Sequence, residues 1–71
     1  MNDNIVGRMR YIKEYAGFIG AYLKEINDIL DNETIDYDAL FTMEQRVDRI
    51  SENCENLKEE ILKAYDDLEE E

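Results

Sequence analysis

The sequence lacks proline, tryptophan and histidine altogether, and it contains one cysteine and three glycines among 71 residues. Without histidine, the chain has neither the most common general base nor the most common metal ligand of proteins. Without proline, long helices run uninterrupted, whereas a strand-rich domain would need more turn residues. The single Cys54 excludes an intrachain disulfide and is typical of a reducing compartment. These absences predict a cytoplasmic, all-α, non-enzymatic protein that uses no cofactor and no metal.

Membrane and nucleic-acid binding are both disfavoured by the distribution of polar residues. The N-terminal ten residues have no apolar core of the kind found in signal peptides, and no run approaches the roughly 18 apolar residues of a membrane span. The net charge is −11, and residues 31–71 carry the whole excess, with fifteen acidic against four basic residues. This field repels phosphate, so we expect no direct contact with nucleic acid or membrane, and attraction to a basic protein surface.

Apolar residues recur at alternating spacings of four and three, the period of a helix packed on another helix. The spacing predicts one helix over about residues 3–31, a loop over about 32–36, and a second helix over about 37–68 that is capped by Thr34 or Asp36. Because the loop is short, we expect one domain, an antiparallel, coiled-coil-like helical hairpin. The predicted contact between the helices consists of Ile5, Met9, Ile12, Ala16, Ile19, Leu23, Ile26 and Leu30 in the first helix, and of Leu40, Met43, Val47, Ile50, Cys54, Leu57, Ile61, Ala64 and Leu68 in the second.

A second, aromatic row lies beside the aliphatic row of the first helix. It consists of Tyr11, Tyr15, Phe18 and Tyr22, and is called the aromatic stripe below. A hairpin needs only the aliphatic row, so the aromatic stripe is expected to form an interface with another surface. We expect a homodimer in which two hairpins pair into a four-helix bundle. The alternative is a monomer whose aromatic stripe binds a different protein.

One side of the second helix is predicted to carry about one carboxylate per turn. This acidic ridge consists of Asp48, Glu52, Glu55, Glu59 and Asp66. Like charges three or four residues apart on a helix repel each other, so the ridge does not favour stability. A solvated surface that keeps the protein soluble is one interpretation. The other is a binding surface for lysine and arginine side chains of a partner.

Sites for chemistry are not predicted. Cys54 falls at a position of the predicted contact, where a buried thiol is usually inert. The acidic segment after the first helix does not match a calcium-binding EF-hand loop, because a loop starting at Asp31 would place Ile35 at the fifth position and Thr42 at the twelfth. No catalytic, cofactor-binding or metal-ligating residue is therefore expected.

Two resemblances bear on function, although neither assigns the chain to a family. The predicted layout resembles Rop, the plasmid RNA-binding protein whose helical hairpins pair into a four-helix bundle, but the charge of −11 argues against RNA as a ligand. The nine residues 40–48 are similar to the Ser-Gln-x-Leu-Asp signature of the sporulation aspartyl-phosphate phosphatases. Gln45 and Asp48 match that signature, and Glu44 replaces its serine. This resemblance implies action on the phosphoaspartate of a response regulator.

The favoured hypothesis is a small acidic interaction protein that binds a basic surface of a protein partner and inhibits or regulates it. Carboxylates spaced along a rigid helix imitate the phosphates of nucleic acid. Phages and mobile elements use small acidic proteins against host nucleic-acid machinery in this way, and by analogy such an origin is a hypothesis for this chain. The first alternative is a structural or adaptor subunit of a helical assembly. The second is the regulator with phosphatase-like activity.

Overall fold

The computed structural model describes residues 3–32 and 34–69, and this part of the chain contains two helices and no strand. Helix α1 spans Asp3–Asn32 and helix α2 spans Tyr37–Glu69. The two helices lie side by side, giving dimensions of 53 × 16 × 10 Å. The prediction of an all-α helical hairpin is therefore confirmed. Residue 33 of the predicted loop lies outside the described residues.

Helix α2 begins with a hydrogen-bonded cap. The backbone N–H of Ala39 donates to the Asp36 carboxylate at 2.9 Å, and the N–H of Leu40 donates to the Asp36 carbonyl at 3.0 Å. A carboxylate at this position satisfies a first-turn amide that has no partner within the helix, and it also complements the positive end of the helix. Of the two predicted caps, Asp36 is the one that is used. Ile35 and Leu40, on either side of it, line one shallow depression.

Three ion pairs show that the helices run antiparallel. Arg8, near the start of α1, pairs with Glu60 and Asp67, near the end of α2. Glu25, near the end of α1, pairs with Arg46, near the start of α2. For each pair, the midpoint in sequence between the two partners falls close to the connection between the helices. The register therefore agrees with a chain that folds back near residue 35.

The predicted contact row of α1 is wrong in one respect, because the helix is rotated about its axis. Four residues of the predicted row are shielded from solvent, as expected for the contact: Ile5 is buried, and Ile12, Ile19 and Ile26 are half-buried. The alternate positions differ. The sequence predicts Met9, Ala16, Leu23 and Leu30 there, and all four are exposed. Their places are taken by the residues one position earlier, namely Arg8, Tyr15, Tyr22 and Ile29.

Helix α2 shows the same rotation. Met43, Ile50, Leu57 and Ala64 are half-buried, as the sequence predicts for a contact row. The other predicted members are exposed, namely Leu40, Val47, Cys54, Ile61 and Leu68, and the residues one position earlier are shielded instead, namely Ala39, Arg46, Asn53, Glu60 and Asp67. The row that closes the hairpin is therefore the more polar of the two available rows.

The physical reason lies in the long polar side chains. Arg8 and Arg46 pair with carboxylates of the opposite helix, and long side chains of this kind can shield apolar surface with their aliphatic stems. Tyr15 and Tyr22 are half-buried in the same row, and a tyrosine ring can bury apolar area while its hydroxyl group keeps a polar partner. This arrangement satisfies the polar residues and leaves the purely aliphatic rows of both helices uncovered.

Candidate protein interaction surfaces

The acidic ridge lies on the side of α2 that is turned away from α1. All five of its carboxylates belong to exposed residues. From Asp48 to Asp66 the ridge is about 27 Å long, at 1.5 Å per residue. Among the described residues, Glu59 is the one ridge member within 4.0 Å of a cation, with Lys63 Nζ at 3.4 Å. The ridge is thus a line of accessible negative charges with little internal neutralisation.

Two carboxylates of α2 outside the ridge, those of Glu60 and Asp67, pair with Arg8. Arg8 Nη1 lies 2.7 Å from Glu60 Oε2, and Arg8 Nε lies 3.0 Å from Asp67 Oδ2. The hydrogen bond that Arg8 donates to Glu60, followed by the one it donates to Asp67, raises the pKa of Arg8. A raised pKa means that the contribution of these pairs to stability is fully present below the ordinary arginine pKa and is lost only as pH rises through the raised value. At neutral pH, Arg8 is therefore charged and links the start of α1 to the end of α2.

Replacing this arginine tests that role. We expect Arg8→Gln to lower the urea midpoint of unfolding, because Glu60 and Asp67 would then lie close together without the shared guanidinium. The matched control is Arg10→Gln, which removes the same charge from an exposed side chain two residues away. Circular dichroism in a urea series measures both. Equal shifts for the two variants would show that only net charge matters.

The aromatic stripe is divided between two sides of α1. Tyr15 and Tyr22 are half-buried in the row that faces α2, whereas Tyr11 and Phe18 are exposed. The four residues therefore do not form one continuous surface on the outside of the hairpin. The spacing of three and four residues that makes them look like one row is also the spacing of the contact row itself. The sequence offered one signal that Tyr15 and Tyr22 differ from Tyr11 and Phe18. Tyr15 and Tyr22 follow Arg8 at intervals of seven residues, and an arginine can pair with the carboxylates of the second helix.

Cys54 is exposed, contrary to the prediction that it is buried in the contact between the helices. It occupies the same position of the repeat as Val47 and Ile61, and all three are exposed because of the rotation of α2. The thiol is therefore available as a probe of anything that covers this side of the hairpin. Within the described residues, Cys54 is a free cysteine.

The residues of the phosphatase-like signature share one shallow surface. Gln45 and Asp48 line a depression of about 230 Å³ together with Arg46 and Arg49. Two arginines would suit a phosphoryl group, although Arg46 is engaged with Glu25. Over residues 3–32 and 34–69, no group of three or more histidine, cysteine, aspartate or glutamate side chains is placed to hold a metal ion.

Neither α1 nor α2, over the part of each that the structure describes, contains a segment long and apolar enough to cross a membrane. Comparisons of the chain with protein-family models, with curated protein sequences and with solved structures find no match. The surfaces described above are therefore the basis for any functional conclusion.

Proposed function

We propose that this protein is a non-enzymatic interaction protein, which binds a basic surface of a partner protein through the acidic ridge and thereby inhibits or regulates that partner. We place this activity in the cytoplasm, because the single cysteine is typical of a reducing compartment. Two copies of the chain are proposed to pair into a four-helix bundle, which stiffens the helix that carries the ridge.

The observation that carries the proposal is the exposure of five carboxylates in one line, of which only Glu59 has a cation nearby among the residues the structure describes. Their mutual repulsion opposes folding by a few tenths of a kcal/mol per neighbouring pair. A row that is unfavourable for the folded chain by itself becomes favourable when lysine and arginine of a partner lie against it. Long-range attraction from a chain of charge −11 also speeds the encounter with a basic surface.

A nucleic-acid-binding groove is the kind of basic surface that this ridge suits best. Such grooves hold lysine and arginine side chains in a line that follows a phosphate backbone. The acidic ridge, about 27 Å long on one side of a helix, offers negative charges in a comparable line. Occupation of the groove by α2 would exclude the nucleic acid, which gives a direct route to inhibition.

Capture of binding proteins with and without the ridge tests this function. The immobilised wild-type chain is compared with a Glu52→Gln, Glu55→Gln, Glu59→Gln variant, which keeps the size of the side chains and removes three charges. We expect a basic protein to be retained by the wild type, to be released by salt, and to be retained poorly by the variant. Equal retention by both proteins would remove the acidic ridge from the proposal.

A structural or adaptor subunit is the second candidate, and the exposed aliphatic rows of the hairpin favour it. The chain is one helix thick, so its own core does not cover these rows. Exposed apolar rows of this kind usually mark an interface, and an assembly that contains the chain would cover them. The two candidates differ in stoichiometry. A folded protein that is stable only with a different chain would support the adaptor, whereas a stable homo-oligomer with an accessible ridge supports the interaction protein.

A further inference from the structure

One face of the hairpin, called the open face below, is apolar along its whole length. The two helices are antiparallel, and in such a pair the residues that follow the contact row by one position fall on the same side of both helices. The uncovered aliphatic rows of α1 and α2 therefore merge into one surface. The open face consists of Met9, Ala16, Leu23, Leu30, Leu40, Val47, Cys54, Ile61 and Leu68.

We propose that a second copy of this chain packs on the open face, with α1 of each copy lying against α2 of the other. The inference rests on the proposed pairing of two copies, and it specifies which surface they bury and which helices lie side by side. It replaces the aromatic stripe as the expected interface, because the stripe is divided between two sides of α1. None of the nine residues of the open face is charged.

The accessible area of the hairpin is the first argument for a second copy. A folded monomer of 8.4 kDa has an accessible surface of about 4,600 Å², and this chain exposes 5613 Å². The excess of about 1,000 Å² is close to the roughly 800 Å² that each partner buries in a stable protein interface. Only Ile5, Ile29 and Ala39 are buried apolar residues among those the structure describes. The single hairpin thus lacks the second layer that a domain core requires.

The burial of the shared rows is the second argument. Ile12, Ile19 and Ile26 of α1 contact α2 and are still only half-buried, as are Met43, Ile50 and Leu57 of α2. In a four-helix bundle, residues at these positions contact the neighbouring helix on one side and the bundle core on the other. Covering the open face would bury their remaining surface together with the seven large side chains of the face, which are 41–55% exposed.

Charge decides between the two arrangements that twofold symmetry allows. Two hairpins packed face to face have either α1 beside α2 of the partner copy, or like helices side by side. Helix α2 holds ten acidic and four basic residues, whereas α1 holds five acidic and four basic. Placing the two α2 helices diagonally increases their separation from 8–10 Å to about 13 Å, and with a Debye length of about 8 Å at physiological salt the added distance weakens the screened repulsion between them. The acidic ridges then lie on opposite sides of the bundle, so one dimer presents two separate binding surfaces.

Paired charge substitutions on α1 test which face is covered. Leu23 lies on the open face and is 48% exposed, whereas Phe18 belongs to the exposed part of the aromatic stripe and is 51% exposed. We expect Leu23→Glu to weaken dimerisation about 100-fold or more, because each dimer would bury two unpaired carboxylates. Phe18→Glu adds the same charge and should leave the dimer intact. Sedimentation equilibrium gives the association constants, and circular dichroism checks that both variants remain helical.

Two further measurements keep the test decisive if Leu23→Glu does not fold. Val47→Glu places a charge on the open face from α2 and should have the same effect. In the wild type, the reactivity of the Cys54 thiol should fall as protein concentration rises, because a second copy covers it. A wild type that stays monomeric, or a dimer dissociated by Phe18→Glu and not by the open-face variants, would overturn the proposal. Salt-dependent ridge binding by a monomer would leave the proposed partner binding in place.

Cysteine crosslinking tests the arrangement. By the register of the hairpin, Gly20 of one copy lies level with Ser51 of the other when α1 faces α2 of the partner copy. A Cβ added at Gly20 meets nothing within 4 Å in the single chain, so a side chain is tolerated there. With Cys54→Ser in both proteins, Gly20→Cys and Ser51→Cys chains should form a disulfide only when mixed. Crosslinking of each chain with itself would show that like helices are adjacent.

Discussion

Reversing three charges of the acidic ridge, with Glu52→Lys, Glu55→Lys and Glu59→Lys, is expected to weaken binding of the captured partner about 100-fold or more. Each substitution replaces an attraction to a basic side chain with a repulsion, and like charges held together at an interface oppose binding by several kcal/mol. Isothermal titration calorimetry at fixed salt measures the dissociation constants. The reversed protein should also lose most of the salt dependence of binding.

The control variant must carry the same net charge. Reversing Glu14, Asp28 and Asp31 of α1 to lysine also changes the charge from −11 to −5, since each of the three reversals adds two charges. All three control residues are exposed and lie outside the ridge. We expect only a small loss of affinity for this control, caused by the weaker long-range attraction. A similar loss for both variants would mean that net charge, rather than the ridge, attracts the partner.

Truncating two consecutive residues of α1 is expected to separate the closure of the hairpin from the pairing of two hairpins. Ile29 is 9% exposed and Leu30 is 55% exposed. Ile29→Ala should lower the free energy of unfolding by about 2 kcal/mol at every protein concentration, because it truncates one of the three buried apolar side chains of the described part of the chain and leaves a cavity. Leu30→Ala should have little effect in dilute protein and a larger effect as concentration rises.

Urea unfolding followed by circular dichroism, at several protein concentrations, measures both variants. A concentration-independent loss of stability for Leu30→Ala, as large as that for Ile29→Ala, would indicate that Leu30 packs in the contact between the helices of one chain. The outcome also separates two interpretations of the same sequence, since the aliphatic spacing alone favours Leu30 over Ile29 in that contact.

The resemblance to the sporulation phosphatases is the weaker functional candidate after the structure is considered. Gln45 and Asp48 do lie on one surface, but Arg46, in the same depression, is engaged with Glu25. Asp48 also belongs to the acidic ridge, whose other carboxylates repel a phosphoryl group. The resemblance of the predicted layout to Rop carries no prediction of RNA binding.

Several features of this protein follow from the sequence by itself. The absence of proline, the heptad spacing on both sides of Asp36 and the short connection determine two helices and their antiparallel register, because these depend on local backbone preference and on a periodicity of 3.5 residues. The exposure of the acidic ridge follows in the same way, since a line of carboxylates without partners in a small core stays in water.

Only the tertiary structure decided which side of each helix closes the hairpin. Ile12 and Ile50 belong to the contact in either rotation. The aliphatic spacing favours Leu30 over Ile29 and Val47 over Arg46, whereas the structure shields Ile29 and Arg46 and exposes Leu30 and Val47. The choice depends on pairs distant in sequence, such as Arg8 with Asp67 and Arg46 with Glu25, whose geometry exists only after the helices meet. These pairs turn the polar rows inward within one chain and leave an entirely uncharged face outside.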